Sequence, residues 1–462
     1  MYNIKNIINI FSIVLLMLLA AGCKKFVEID PPKGEIIKAE AFKEDNAATS
    51  AVLGIYVNML SNFSFENSGI TIYSGLAADE LEDFQQTTDG VQFQRNQLQP
   101  LNDVVSSMWT GAYKTIALIN TCIEGLEQSN TLTPALKNQL LGECKFSRAF
   151  VYFYLVNLWK DVPLVLTSDW RVNAVITQRP ENEVYAKIIE DLTNAQTLLQ
   201  ENYPTEGRVR PNKWAATALL ARVYLYNKDY ANAEAAASAT IGSGTYLPLP
   251  ALDQAFLRES QEAIWQLMPT KNLVLTTQEG YAFIGDVDFG LPPNYTLTAS
   301  LLNSFDAADQ RKTTWVNSVV YENNTYTYPF KYKDRGDFFD TNPSEYYIML
   351  RLSEQYLIRA EARAALNKLE AAAEDMNVIR ARAGLDDYVP VGQPAMLSAI
   401  ADENRHEFFA EWGHRWLDLK RTGKVDAVMS LLKPTWKNTA ALFPIPQAER
   451  ELNRKLVQNE GY

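Results

Sequence analysis

The chain has 462 residues, 47% hydrophobic and 21% charged, and its 55 acidic against 43 basic side chains leave a net charge of −12. That is the composition of an ordinary globular protein with room for roughly two or three lobes. It excludes a nucleic-acid binder, which needs a basic surface, and a polybasic binder of anionic membranes. With 23 Tyr against 2 His, the capacity is for ring stacking rather than imidazole chemistry.

Residues 1–22 form a secretory signal: Lys5 precedes an apolar run from Ile7 to Leu19, too short and wrongly flanked to stay in a membrane. Ala20, Ala21 and Gly22 stand directly before Cys23 and resemble a bacterial lipoprotein cleavage site. That resemblance implies that Cys23 becomes the lipidated first residue, and a diacyl or triacyl cysteine would meet the need of stable anchoring for two or more chains. Residues 23–40 are a charged, proline-containing tether.

A first helix is predicted over 40–60, with Ala48, Val52, Ile55, Tyr56 and Met59 on its buried face. Residues 61–103 read as a long irregular segment rich in Gly, Ser, Asn, Gln and Phe, of the kind that carries function or orders on binding. Helices follow over 103–127, 134–159 and 183–199, with a break at Asp161-Val162-Pro163. Trp214 to Ile241 is a helical hairpin: Ala215, Ala218, Leu219, Val223 and Tyr226 share one face, Asn227-Lys228-Asp229 interrupts, and Tyr230, Ala233, Ala237 and Ile241 share the next. Tyr356 to Ile379 echoes it, with Asn367-Lys368 at the turn. Such a pair is the unit of tetratricopeptide-type repeats and needs neighbours to bury its stripe. Between the hairpins, 246–347 turns rich in Gly, Pro, Asn and Thr, with alternating stretches such as Thr325-Tyr326-Thr327-Tyr328 and one helix expected at 299–305. Helix returns over 352–383 and 398–412, before a loop-rich end. The fold class is mainly α, tetratricopeptide-like helical pairs with an irregular lobe of a few short strands. The expected division is 41–245 as an N-terminal scaffold carrying a ligand loop, 246–347 as the ligand-binding lobe, and 348–462 as a C-terminal region.

Catalytic chemistry finds little support. His406 and His414 lie among Arg405, Arg415 and Glu403, Glu407 and Glu411, whose i, i+4, i+8 spacing describes a salt-bridged helix rather than a metal site. Acidic residues at Asp79, Glu80, Glu82, Asp83, Asp286 and Asp288 could supply a glycosidase pair, but the sequence gives no separations. There is no phosphate loop, no GxSxG element and no EF-hand spacing. No cofactor or metal is expected. Cys122 and Cys144 sit in apolar helical patterns as buried thiols, with a disulfide between them left open. Trp109, Trp159, Trp214 and Trp412 fall on helical faces and are expected in the core.

Glu403 to Lys424, ENRHEFFAEWGHRWLDLKRTGK, and Leu442 to Tyr462, LFPIPQAERELNRKLVQNEGY, resemble the closing signature of the SusD/RagB family of outer-membrane nutrient-binding lipoproteins. CKKFVEIDPP, WTGAYKTIALIN, GECKFSRAFVYFYLVNLWKDVPLV, NKWAATALLARVYLY and RLSEQYLIRAEA resemble further family landmarks in order. The resemblance implies a cell-surface lipoprotein, lipid-anchored on the outer membrane, that captures an oligosaccharide or, in the RagB branch, a peptide. It would pass this to a SusC-like TonB-dependent transporter barrel, with no catalysis. A surface scaffold without a small ligand is the alternative from another class. Two segments mix aromatics with polar side chains as sugar binding requires. One, Ala78 to Gln86, is similar in position to the family's acidic segment before its binding aromatics, but carries Asp83-Phe84-Gln85 in place of tryptophans. The other is Tyr281 to Tyr295. The expected ligand residues are Asp79, Asp83, Phe84, Gln85, Tyr281, Phe283, Asp288, Phe289 and Tyr295.

Overall fold

The computed structural model describes residues 40–61, 65–270, 275–286, 290, 292–336 and 341–462. The expected lipidation site Cys23, the signal and most of the tether lie outside the described residues.

The backbone of the molecule is a run of paired helices. α1 (Asp45–Ser61), α2 (Ile70–Ala77) and α3 (Thr88–Gln94) lead into the two longest, α4 (Asp103–Gln128) and α5 (Pro134–Trp159). α6 (Glu181–Leu198), α7 (Lys213–Tyr226) and α8 (Tyr230–Gly242) continue the series. After a one-turn-rich lobe that includes α9 (Gln278–Phe283) come α10 (Leu352–Ala365), α11 (Leu369–Arg382), α12 (Gln393–Phe408), α13 (His414–Arg421) and α14 (Val425–Leu432). Each helix from α4 to α8 packs on the next, and α8 packs on α10 as closely as on α7. The hairpins α7–α8 and α10–α11 are therefore neighbouring repeats, and the irregular stretch between them is inserted at their seam.

The repeat seams follow from side-chain size. Ala215, Ala218, Ala221, Ala233 and Ala237 are fully buried in the first hairpin, and Ala360, Ala364 and Ala372 in the second. The turns have a local cause: Lys228 and Asn367 both adopt positive φ (60° and 61°), and Asp229 caps α8 by accepting from the Asn232 amide at 3.2 Å. Buried ion pairs fix the register between helices. Arg148 of α5 holds Asp191 of α6 at 2.7 Å, and Arg222 of α7 reaches Glu354 of α10 at 2.7 Å, across the insertion. Breaking such a pair leaves a charge without water or partner and costs roughly 3–5 kcal/mol.

The strands are short and lie in four two-stranded antiparallel sheets among the described residues. β1 (Leu81–Asp83) pairs with β5 (Tyr295–Leu297), and β2 (Val162–Pro163) with β3 (Gln178–Arg179). β4 (Ala263–Leu267) pairs with β8 (Tyr347–Arg351), and β6 (Val316–Tyr321) forms a hairpin with β7 (Asn324–Pro329). The β4–β8 sheet is buried on both faces and runs directly into α10, so it roots the lobe in the scaffold.

Three local expectations need correction. Residues 65–103 are not an irregular loop. They hold α2, α3 and β1, with Phe65, Ile70, Leu76, Phe93 and Leu98 in the core. α2 reads ITIYSGLA, apolar nearly all round, and so shows no amphipathic period. The helix expected at 299–305 is one turn, Ala299–Leu302. The helix expected over 398–412 ends at Phe408, because Ala410, Trp412 and Gly413 take positive φ. Trp109, Trp159 and Trp412 are buried as expected, while Trp214 is half-buried under the Lys213 ammonium. Cys122 and Cys144 are buried and not joined by a disulfide, which closes that question.

Candidate functional site

The two segments singled out in the sequence are joined by the β1–β5 pairing, which sets Asp83 opposite Tyr295 and Leu81 opposite Leu297. At the end of this ribbon the Phe84 amide donates to the Asn294 carbonyl at 3.0 Å, and Gln85 Nε2 donates to Asn294 Oδ1 at 2.6 Å. β7 lies beside β5 and brings a ring to the same place. Phe84 meets Tyr326 edge-to-face at 4.8 Å between centroids, and Tyr321 lies 6.5 Å from Tyr326. Phe84, Tyr321, Tyr326 and Asn294 are half-buried and Gln85 is exposed. The result is a ridge of three aromatic rings edged by two side-chain amides.

The hairpin positions Tyr321 and Tyr326 through its own sequence. Glu322 and Asn323 both take positive φ (47° and 65°), the two-residue turn that matches strand twist. It sets Tyr321 opposite Asn324 and Val319 opposite Tyr326.

Other expected ligand residues serve different ends. Asp79 is buried and accepts from Arg405 at 2.6 Å and Arg415 at 2.8 Å. Burial opposes its charge, but these two guanidiniums hold its pKa below the ordinary carboxylate value. Asp83 is also buried. Its carboxylate accepts from the amides of Gln85 and Thr87 and from the Thr87 hydroxyl, closing the turn into α3. Phe283 is core, with Tyr295 edge-on at 6.3 Å. Tyr281 is half-buried, and the Arg335 guanidinium sits 5.4 Å from its ring while pairing with Asp286 at 3.0 Å. Asp288 and Phe289 lie outside the described residues.

The structure thus gathers Phe84 and Gln85 with two rings and an amide that were not expected there. Asn294 sits one residue before an expected site residue. The Thr-Tyr alternation of 325–328 did signal a strand, but not what its rings would meet.

The suspicious charges of 403–411 form a buried knot. Arg311 binds Glu403 at 2.7 Å and Glu407 at 3.2 Å, Arg351 binds Glu407 and, at 2.9 Å, Glu411, and Arg382 and Lys331 complete it. Glu407 is fully buried. Arg382, Arg351 and Arg311 overcome the cost of burial and hold its pKa far below normal. Glu262, from the lobe side, pairs with Arg382 at 2.8 Å. Every member has a partner and nearly all are buried, so the knot ties the lobe to the C-terminal helices. Among the described residues no group of His, Cys, Asp and Glu is arranged to hold a metal.

A helical-repeat scaffold with a β-rooted lobe bearing a half-exposed aromatic ridge has the build of a binding protein. Residues 48–225 match a family model described as starch-binding, associating with the outer membrane, and residues 305–462 match the model of the SusD family. The chain belongs to the SusD/RagB family, a family of non-catalytic binding proteins. It is 24% identical to the SusD-like protein P25 of Formosa agariphila, over 98% of this chain and 99% of that one. It is 26% identical to SusD-like protein P2 of the same organism, over 98% and 99%. Among solved structures, a SusD superfamily protein of Bacteroides vulgatus superposes with TM-score 0.79 at 20% identity, covering 91% of this chain and 99% of that one. A laminarin-binding SusD-like protein gives TM-score 0.77 at 22% identity, covering 91% and 100%.

Proposed function

We propose that this protein is a glycan-binding lipoprotein of the outer membrane that captures oligosaccharides on the Phe84–Tyr326–Tyr321 ridge and delivers them to a TonB-dependent transporter barrel. The observation that carries the reading is the ridge itself. Sugar rings lay their C–H faces on aromatic side chains, and their hydroxyls need paired donors and acceptors at the margin, which Gln85 and Asn294 supply. Membership of a family with a starch-binding, outer-membrane description supports the ligand class, as does a structural neighbour described as laminarin-binding. The replacement of tryptophans by Asp83-Phe84-Gln85 argues for a smaller contact than a starch helix uses.

Delivery to a barrel is supported by an exposed apolar surface on the scaffold. Leu101, Trp170, Leu452 and Val457 are 71–81% exposed. Their segments are pinned together: the Gln447 amide donates to the Pro100 carbonyl at 2.9 Å, Asn453 to the Ile176 carbonyl at 2.8 Å, and the Val457 amide to Gln178 at 2.7 Å. Apolar side chains exposed on segments held together in this way suit a protein contact. The lipid anchor on Cys23 rests on the sequence before it.

Calorimetry of the full mature chain against laminarin, starch and other oligosaccharides, with peptides alongside, tests the reading. Binding of an oligosaccharide that the double substitution Phe84→Ala/Tyr326→Ala weakens at least tenfold supports it. Binding of peptides alone, or glycan binding indifferent to those substitutions, overturns it. Intact-mass measurement of membrane-extracted protein tests the acyl groups on Cys23.

A further inference from the structure

On the far side of α3 from the ridge lies a second cleft, of about 480 Å³, between the turn 95–99, the segment 435–440 and the C-terminal pair Gly461 and Tyr462. That volume is within the roughly 300–1,000 Å³ of small-molecule sites. Its wall carries Arg95, Lys437, Asn96, Gln97, Gln99 and Thr439, and no Asp or Glu side chain. Arg95 and Lys437 are both exposed, and among the described residues neither charged group has an ion-pair or hydrogen-bond partner. In a chain with 55 acidic and 43 basic side chains, two cations sharing one cleft that no Asp or Glu side chain lines run against the charge balance. The arginines elsewhere in the fold show the contrast, since Arg148, Arg222, Arg311 and Arg351 all hold carboxylates.

The cleft has a fixed frame. Asn96 takes a positive φ of 50° and is 7% exposed. Its Nδ2 donates to the Ala77 carbonyl at 3.1 Å, while its Oδ1 is left without a partner. The Thr435 hydroxyl donates to the Arg95 carbonyl at 3.2 Å, and the Tyr462 hydroxyl to the Leu442 carbonyl at 2.7 Å, so both walls are tied down. The Gln97 and Gln99 side chains stand in the opening with donors and acceptors to spare.

We infer that this cleft is a binding site for an anionic saccharide, one carrying a carboxylate or a sulfate. The guanidinium and ammonium pair with the acid group, and charge-assisted bonds of that kind are about twice as strong as neutral ones. The amides and Thr439 meet the hydroxyls. The site does not depend on the aromatic ridge. α3 is capped at Thr87 beside the ridge and puts Val91 and Gln92 on the cleft wall, and the cleft shares no lining residue with Phe84, Gln85, Asn294, Tyr321 or Tyr326.

The test is calorimetry of the mature chain with a galacturonate trimer, a sulfated galactose trimer and a neutral galactose trimer. At least one anionic trimer is expected to bind, more weakly as salt is raised from 50 to 300 mM, and the neutral trimer at least tenfold more weakly. Arg95→Ala/Lys437→Ala should reduce the anionic affinity at least tenfold, and Arg95→Glu/Lys437→Glu should abolish it. Both pairs are exposed, and an unchanged melting temperature confirms that the fold is kept. Phe84→Ala/Tyr326→Ala should leave this binding unchanged, which separates a failure here from a failure of the ridge. Equal binding of the neutral trimer, indifference to the cation substitutions, or no binding of either anionic trimer overturns the assignment.

Discussion

The Arg–Glu knot around Glu407 and the ridge around Phe84 are opposite in build. The knot collects the side chains most often suspected of chemistry, carboxylates, guanidiniums and a lysine, and buries them all in mutual contact. The ridge is made of ordinary Phe and Tyr, the types most often found in cores, and leaves them half in water. Charge that is fully matched and sealed holds a fold together. Apolar surface that is rigid yet uncovered costs free energy until a ligand takes it. Residue type alone would rank the knot first as a site; partnering and exposure favour the ridge.

Breaking the knot should produce the largest effect. Glu407→Ala removes the buried carboxylate that Arg311, Arg351 and Arg382 share and is expected to cost roughly 3–5 kcal/mol, read by urea unfolding. Glu407 also carries stability that is lost in acid. Its pKa is depressed in the folded chain, so its contribution is full above the unfolded value near 4.5 and fades as the carboxylate is forced to take a proton. If Glu407→Ala unfolds no more easily than wild type, the knot is not structural and the contrast fails.

Next comes the turn between α12 and α13, beside the knot. Gly413 has φ of 66°, and a Cβ there would lie 2.7 Å from Ser74 Cβ. Gly413→Ala is expected to cost about 1–3 kcal/mol, seen as a lower melting temperature. The ridge sharpens the contrast from the other side. Phe84→Ala and Tyr326→Ala should each weaken oligosaccharide binding about tenfold while changing stability by less than about 1 kcal/mol, because half-exposed rings give up little burial.

The smallest effect is a pH dependence of stability. Burial raises the pKa of Glu66, Glu80 and Glu279 from 4.5 to about 7. Folded, they keep protons up to about pH 7; unfolded, they lose them near 4.5. The folded state therefore binds more protons in that window, and stability falls as pH rises through it. His406 acts in the opposite sense: burial and the neighbouring Arg311 lower it to about 4, so stability is lost as pH falls from 6.5 toward 4. The melting temperature should rise as pH drops from 7 toward 5, and Glu279→Gln should flatten that slope. A flat profile in the wild type would show that these carboxyls are solvated.

Local pattern made the helices legible where two amphipathic stripes meet across a short turn. The Trp214–Ile241 hairpin and its echo carry their period, their turn residues and their alanine seam in the chain itself. α2 was missed because a helix buried on all sides has no polar face to set a period. At the site, the sequence pointed to the segments around Phe84 and Tyr295, and the β1–β5 pairing does unite them. It could not tell Asp79 and Asp83, whose oxygens are spent on arginines and on backbone amides, from Gln85, which is open to solvent.

By itself, then, the sequence determined the helical repeats, the resemblance to the SusD/RagB family and the structural character of the 403–411 charges, because spacing along one helix is a local property. Only the tertiary structure decided that Tyr321 and Tyr326 stand beside Phe84, that α8 packs on α10 across a long insertion, and that Arg95 and Lys437 share a cleft lined by no Asp or Glu side chain. Those facts depend on which distant segments meet. Contacts across hundreds of residues are set by how the whole core packs, and leave no period in the chain to read.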